Sequence, residues 1–130
     1  PKHILDLHTL LFKIIGNHEC KINLIDLKKD ESIQSIDNYR FNDFKFIIPN
    51  NNLQLNQFSI EMGNCVRGYT DQINKHNSKI INIYKANKAY ANIEILNGSI
   101  REAKGKYNKE ISSSEIVLFK EILKKHKIIR

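Results

Sequence analysis

The stretch SKIINIYKANKAYANIEILNGSIREAKGKYN, residues 78 to 108, limits what this chain can fold into more than any other. SKIINIYKA and KAYANIEIL are rich in β-formers, and ANK between them is a tight hairpin signal. NGS at 97 to 99 is the clearest turn in the chain, and IREAKGKYN completes a three-strand meander. Such a sheet has to bury a face against another layer.

The other segments supply that layer. ILDLHTLLFKII repeats Ile4, Leu7, Leu11 and Ile14 at helical spacing, between Pro1 and Gly16-Asn17. CKINLIDL alternates like a strand, and a short helix fits near residues 28 to 36. RFNDFKFIIP reads as one strand with Phe44, Phe46 and Ile48 on one face, ended by Pro49; NNN at 50 to 52 reads as a loop. From Leu53 to His76, an apolar stripe of Leu55, Phe58, Met62, Cys65, Val66, Tyr69 and Ile73 has helical spacing. It fits one imperfect helix or two joined at Gly63. SSSEIVLFKEILKKH is the last helix, with Ser112 and Glu115 as a capping box and Ile116, Phe119 and Leu123 as its apolar edge. The expected fold is α+β, with helices packed on one face of an antiparallel β-meander, in a single domain of residues 1 to 130 that is long enough to bury a core. The missing initial Met leaves open that the chain is a fragment of a longer protein.

No apolar run approaches the roughly 20 residues of a membrane span, and no membrane partner is expected. Cys20 and Cys65 form neither a CxxC pair nor a zinc pattern; they read as reduced thiols of a cytoplasmic protein, with a disulfide as the alternative. Five histidines lack any paired spacing with carboxylates, and phosphate-loop and dinucleotide motifs are missing, so neither a metal nor a cofactor is expected. Residues 1 to 62 hold 7 Lys and Arg against 8 Asp and Glu, whereas residues 63 to 130 hold 14 against 6. This asymmetry predicts a basic face, for which nucleic acid is the commonest partner; a merely solubilising lysine surface is the alternative.

PKHILDLHTLL, EMGNCVRGY and the meander with its Gly-Lys-x-Asn end resemble, in order, the motifs of the PcfJ-like family, over residues 1 to about 108. The resemblance implies a setting on conjugative plasmids and other bacterial mobile elements rather than a defined reaction. Asn64 stands where the family commonly has histidine, and Ser59 where it often has glycine.

REAKGKYNK is the densest functional stretch. Arg101, Lys104, Lys106 and Lys109 bracket Gly105, Tyr107 and Asn108, so cations for phosphates stand beside a ring that can stack on a base. A lysine-rich turn is the bland alternative. Cys65, with His8 as base and Asn108 as orienter, has the residue types of a nucleophilic site, but Cys65 also lies on an apolar stripe and reads better as core. His8 likewise fits a hydrogen-bonded interior position.

Three functions follow as expectations. One is a metal-independent ribonuclease, toxin-like if paired with an immunity protein. In it, His8 deprotonates the 2′-hydroxyl, and Arg67, Lys104 and Lys106 hold the charged phosphorane. The second is a non-catalytic RNA- or DNA-binding module using Arg101, Tyr107, Asn108 and Lys109, with RNA favoured. The third is an interaction module for an acidic protein.

Overall fold

The computed structural model describes residues 23–63 and 69–130, together with residues 11, 14, 15 and 18. Five strands form one antiparallel sheet in chain order: β1 (Tyr39–Phe41), β2 (Phe44–Ile47), β3 (Lys79–Lys85), β4 (Lys88–Leu96) and β5 (Ser99–Gly105). Among the described residues, three α-helices with both ends in view flank it: α1 (Asn52–Met62), α2 (Tyr69–His76) and α3 (Ser113–Lys125). A 3-10 helix covers Glu31–Ile36. This is the α+β meander that the sequence predicts.

The hairpins close as their turn residues dictate. Ala86 and Asn87 sit at φ 49° and 64°, and Asn97 and Gly98 at 53° and 75°. Two successive left-handed residues give a turn whose twist matches that of the strands it joins. A third hairpin lies where one strand is expected. Asn42, at φ 53°, begins a turn with Asp43 that splits RFNDFKFIIP into β1 and β2, paired Tyr39 to Phe46 and Phe41 to Phe44. CKINLIDL is not a strand over its described part, where only an Asp26–Asn51 bridge forms. That segment is tied instead by amide side chains: Asn74 Nδ2 donates to the Asp26 carbonyl, and Asn52 Oδ1 accepts from Ile25 N–H. The expected NNN loop is already a helix start, because Asn51 caps α1 by accepting from Gln54 N–H. Gly63, at φ 65°, ends α1, so Leu55, Phe58 and Met62 of the stripe lie on one helix and Ile73 on another, while Cys65 and Val66 lie outside the described residues.

Helices cover both faces of the sheet, not one. On the first face Phe44, Phe46, Ile81, Ile83, Ala91, Ile93 and Ile95 meet Phe119, Ile122 and Leu123 of α3, with Ile33 and Ile36 of the 3-10 helix. On the second, Ile80 packs with Leu27, Leu55 and Ile73, while Ala89 and Tyr84 pack with Phe58 and Met62. The reason lies in β3 and β4, which bury the unbroken runs Ile80 to Ile83 and Ala91 to Ile95, including Asn82, Asn92 and Glu94. Strands buried on both sides need two covering layers.

Two bulges aim side chains. Ile83 pairs with Ala91 and Tyr84 with Ala89, which leaves Tyr90 unopposed. Glu94 pairs with Glu102 and Ile95 with Ile100, which leaves Arg101 unopposed. An unopposed residue is free to turn off the regular alternation. Tyr90 then reaches Glu115 on α3, and Arg101 reaches Glu94 on β4.

Candidate nucleic-acid interface

β5 forms one edge of the sheet, and the chain leaves it through a short turn over Lys106–Asn108. Gly105 N–H donates to the Lys109 carbonyl at 2.7 Å, and Lys109 N–H donates back to the Lys106 carbonyl at 3.1 Å. These bonds close the loop tightly and force two side-chain-bearing residues into the left-handed region, Tyr107 at φ 57° and Asn108 at φ 59°. An aromatic residue there is strained by roughly 1–2 kcal/mol. Yet Tyr107 is 68% exposed. Its ring rests on the end of α1, where a Cβ added to Gly63 would come within 2.5 Å of ring carbons Cδ1 and Cε1. The ring is thus seated on backbone and open to water.

Lys106, Asn108 and Lys109 are exposed around it, and Lys104 is half-buried on β5 opposite Asn92. Among the described residues these three lysines form no ion pair. Arg101, the fourth cation of this stretch, is differently placed. Its Nη1 lies 3.2 Å from Oε2 of Glu94, a carboxylate 1% exposed that also accepts from Ser78 Oγ at 2.8 Å. Arg101 therefore balances a buried charge. His8, Arg67 and Cys65 lie outside the described residues.

Among the described residues, the single basic face expected from the charge asymmetry is not formed. Lys75, Lys79 and Lys85 pair with Asp71, Asp30 and Glu115. Lys104 alternates with Ala103, which packs against the α3-side core, so it belongs to the opposite face. Lys120, Lys124 and Lys125 ride on the exposed side of α3. At the end of β5, exposed cations stand beside the most exposed of the described aromatic rings.

A second polar cluster links β4 to the start of α3. The Tyr90 hydroxyl donates to Glu115 Oε1 at 2.5 Å, and Ser112 Oγ donates to the same oxygen at 3.1 Å. Lys85 Nζ lies 3.5 Å from Oε2 and 4.9 Å from the Tyr90 ring centroid. Burial alone would raise the Glu115 carboxyl, but the bonds from Tyr90 and Ser112 and the Lys85 charge outweigh it and hold the group below its ordinary range. Burial, then the bond to Glu115, pushes the Tyr90 phenol up to about 12. The stability that Tyr90 adds is whole below its ordinary value of 10.0 and is lost as pH rises towards 12. That of Glu115 is whole above 4.5 and is lost as pH falls through the depressed folded value. Tyr90→Phe is expected to reduce the alkaline decline by the share of Tyr90, leaving that of Tyr84, whose phenol is also raised, measured by urea unfolding at a series of pH values from about 9 to 12.

Among the described residues, no three His, Cys, Asp or Glu side chains group to hold a metal ion, and no helix is long and apolar enough to cross a membrane. In comparisons with known proteins, no family model matches the chain, and no curated protein or solved structure matches it significantly.

Proposed function

We propose that this chain engages single-stranded nucleic acid, RNA in preference to DNA, at the end of β5. The observation that carries this reading is Tyr107, a strained, 68%-exposed ring seated on Gly63 and flanked by cations without carboxylate partners among the described residues. Bases stack on such a ring whatever their identity, at about 1–3 kcal/mol each, and lysines follow the phosphates. Lys104, Lys106 and Lys109 supply the charge; Asn108 offers an amide to a base edge or a 2′-hydroxyl. Arg101 contributes less, because Glu94 already holds it.

The narrower form of the proposal is metal-independent RNA cleavage, with His8 as base and Arg67, Lys104 and Lys106 as the cationic groups. It requires His8 and Arg67 to meet the β5 end. The resemblance of the motifs to PcfJ-like proteins supports a cytoplasmic role in a bacterial mobile element. A second reading, docking of an acidic protein, draws support from α3, where exposed Lys120, Lys124 and Lys125 accompany Val117 at 55% exposure.

Incubation with labelled single-stranded RNA and DNA in EDTA separates these. A gel shift that weakens steeply with salt is expected, and cleavage in chelator, lost in His8→Ala, selects the ribonuclease. Replacing Lys104, Lys106 and Lys109 together by Ala should reduce the slope of log K against log salt by about 2, while Tyr107→Ala should weaken binding with the slope unchanged. Unaltered RNA affinity in both variants removes the β5 end from the proposal. A stable complex with an acidic protein, without RNA binding, selects the second reading.

A further inference from the structure

Gly63 closes α1 in the left-handed region, at φ 65°, where its N–H donates to the Ile60 and Ser59 carbonyls. Glycine is the usual residue at such a helix end, and asparagine is the other one. Elsewhere this chain relies on asparagine for left-handed backbone. Asn38, Asn42, Asn77, Asn87, Asn97 and Asn108 all sit at φ between 53° and 64°. Among the described residues, glycine takes a positive φ only at Gly63 and Gly98. Gly98 is the second residue of a tight hairpin turn, where glycine is the normal choice. At Gly63 the backbone alone does not explain why asparagine is absent.

The Tyr107 ring explains it. A Cβ on Gly63 would lie 2.5 Å from both Cδ1 and Cε1 of that ring and 3.5 Å from Cγ. The shorter distance is far inside the roughly 3.5–4.0 Å at which carbon atoms attract. Of the two partners, the ring would give way, because it is 68% exposed and α1 is packed on the sheet through Phe58 and Met62. A side chain at Gly63 would therefore unseat Tyr107 more than it would disturb the fold. The bonds of Gly105 and Lys109 fix the backbone of the Tyr107 loop. They leave the ring itself free to turn, and the contact with Gly63 is what holds it. A ring held before binding loses less freedom when a base stacks on it.

We propose that Gly63 is a positioning residue for nucleic-acid binding, its bare α-carbon seating Tyr107 in the orientation that stacks on a base of single-stranded RNA. This rests on the reading that the end of β5 engages RNA. The lysines attract phosphates wherever the ring points, so losing the seat removes stacking and leaves the charge.

The test uses octauridylate carrying one 2-aminopurine, whose fluorescence falls when that base stacks. Gly63→Asn keeps a residue suited to left-handed backbone but adds a Cβ. It should weaken binding about fivefold to tenfold, with the salt slope unchanged and Tm nearly so. Most of the quench should be lost even at saturating protein. Gly63→Ala should lose as much binding and also lower Tm by several degrees, because alanine is strained at this φ. In a Tyr107→Ala background, either change should alter affinity less than about twofold. Wild-type affinity and quench in Gly63→Asn would overturn the proposal alone, since glycine would then serve only the helix end. Equal losses in the two backgrounds would overturn it too, because the effect would not pass through the ring. If the wild-type chain does not bind the oligonucleotide, the reading of the β5 end falls and this proposal falls with it.

Discussion

Phe119→Ala is expected to destabilise the fold by about 3–5 kcal/mol, a large share of what holds a domain of this size together. Phe119 is fully buried in α3 and meets two β2 rings edge-on, Phe44 at 5.2 Å and Phe46 at 5.9 Å between centroids. Truncation removes the transfer energy of a whole ring and leaves a cavity where three aromatic side chains meet. The sheet backbone around that cavity is held by β1 and β3 on either side of β2, so it cannot close easily. The fall in Tm should be on the order of 10–20 °C. Thermal unfolding by circular dichroism reads it; a loss below about 1 kcal/mol would mean that α3 does not close this face of the sheet.

Arg101→Ala is expected to cost about 2–4 kcal/mol, although Arg101 looks like a surface residue. Its side chain is 54% exposed, whereas that of Glu94 is 2% exposed. Removing the guanidinium leaves a buried carboxylate that keeps its hydrogen bond from Ser78 Oγ but loses its cation. Water can replace part of the lost interaction on the exposed side, which sets the estimate below the top of the range for buried pairs. The coupling is the test. Arg101→Ala made in a Glu94→Leu background should cost under about 1 kcal/mol, since no buried charge then remains. Equal costs in the two backgrounds would show that Arg101 acts through its stem alone.

The sequence made the hairpins legible and concealed the layering. Asn97-Gly98 and Asn87 announce their turns because left-handed backbone favours Asn and Gly locally; Ala86, at φ 49°, takes that conformation without such a preference. Ser112 likewise announces α3. Asn42-Asp43 is the same kind of signal, hidden by being read inside a run of aromatic residues. The second covered face was hidden for a different reason. Asn82, Asn92 and Glu94 alternate with isoleucines, the pattern of a half-wet strand, yet all three are buried. Periodicity reports which residues share a face and not whether that face meets water.

The sites divide along the same line. IREAKGKYN reads as strand to its end, with a lysine-rich turn as the alternative, whereas β5 stops at Gly105 and Lys106–Asn108 form an exposed turn. The tie of Arg101 to Glu94, and that of Tyr90 to Glu115, depend on bulges, and a bulge is a property of cross-strand register that no single stretch encodes. The seat of Tyr107 on Gly63 joins a loop to a helix end distant in sequence, so no motif could have announced it.

The neighbour-to-neighbour strand order has a kinetic consequence. Each ladder joins consecutive strands, and the β3–β4 and β4–β5 turns can zip outwards on a microsecond scale before any distant partner arrives. Docking of α3 is then the late event, because it must find β2 from across the whole meander. Until it does, a sheet bearing Phe44, Phe46, Ile81, Ile83 and Ile93 stands uncovered on one side. Slow or impaired docking of this one helix would turn a quick-forming sheet into a sticky one, so solubility during refolding should follow the integrity of α3 more closely than that of the turns.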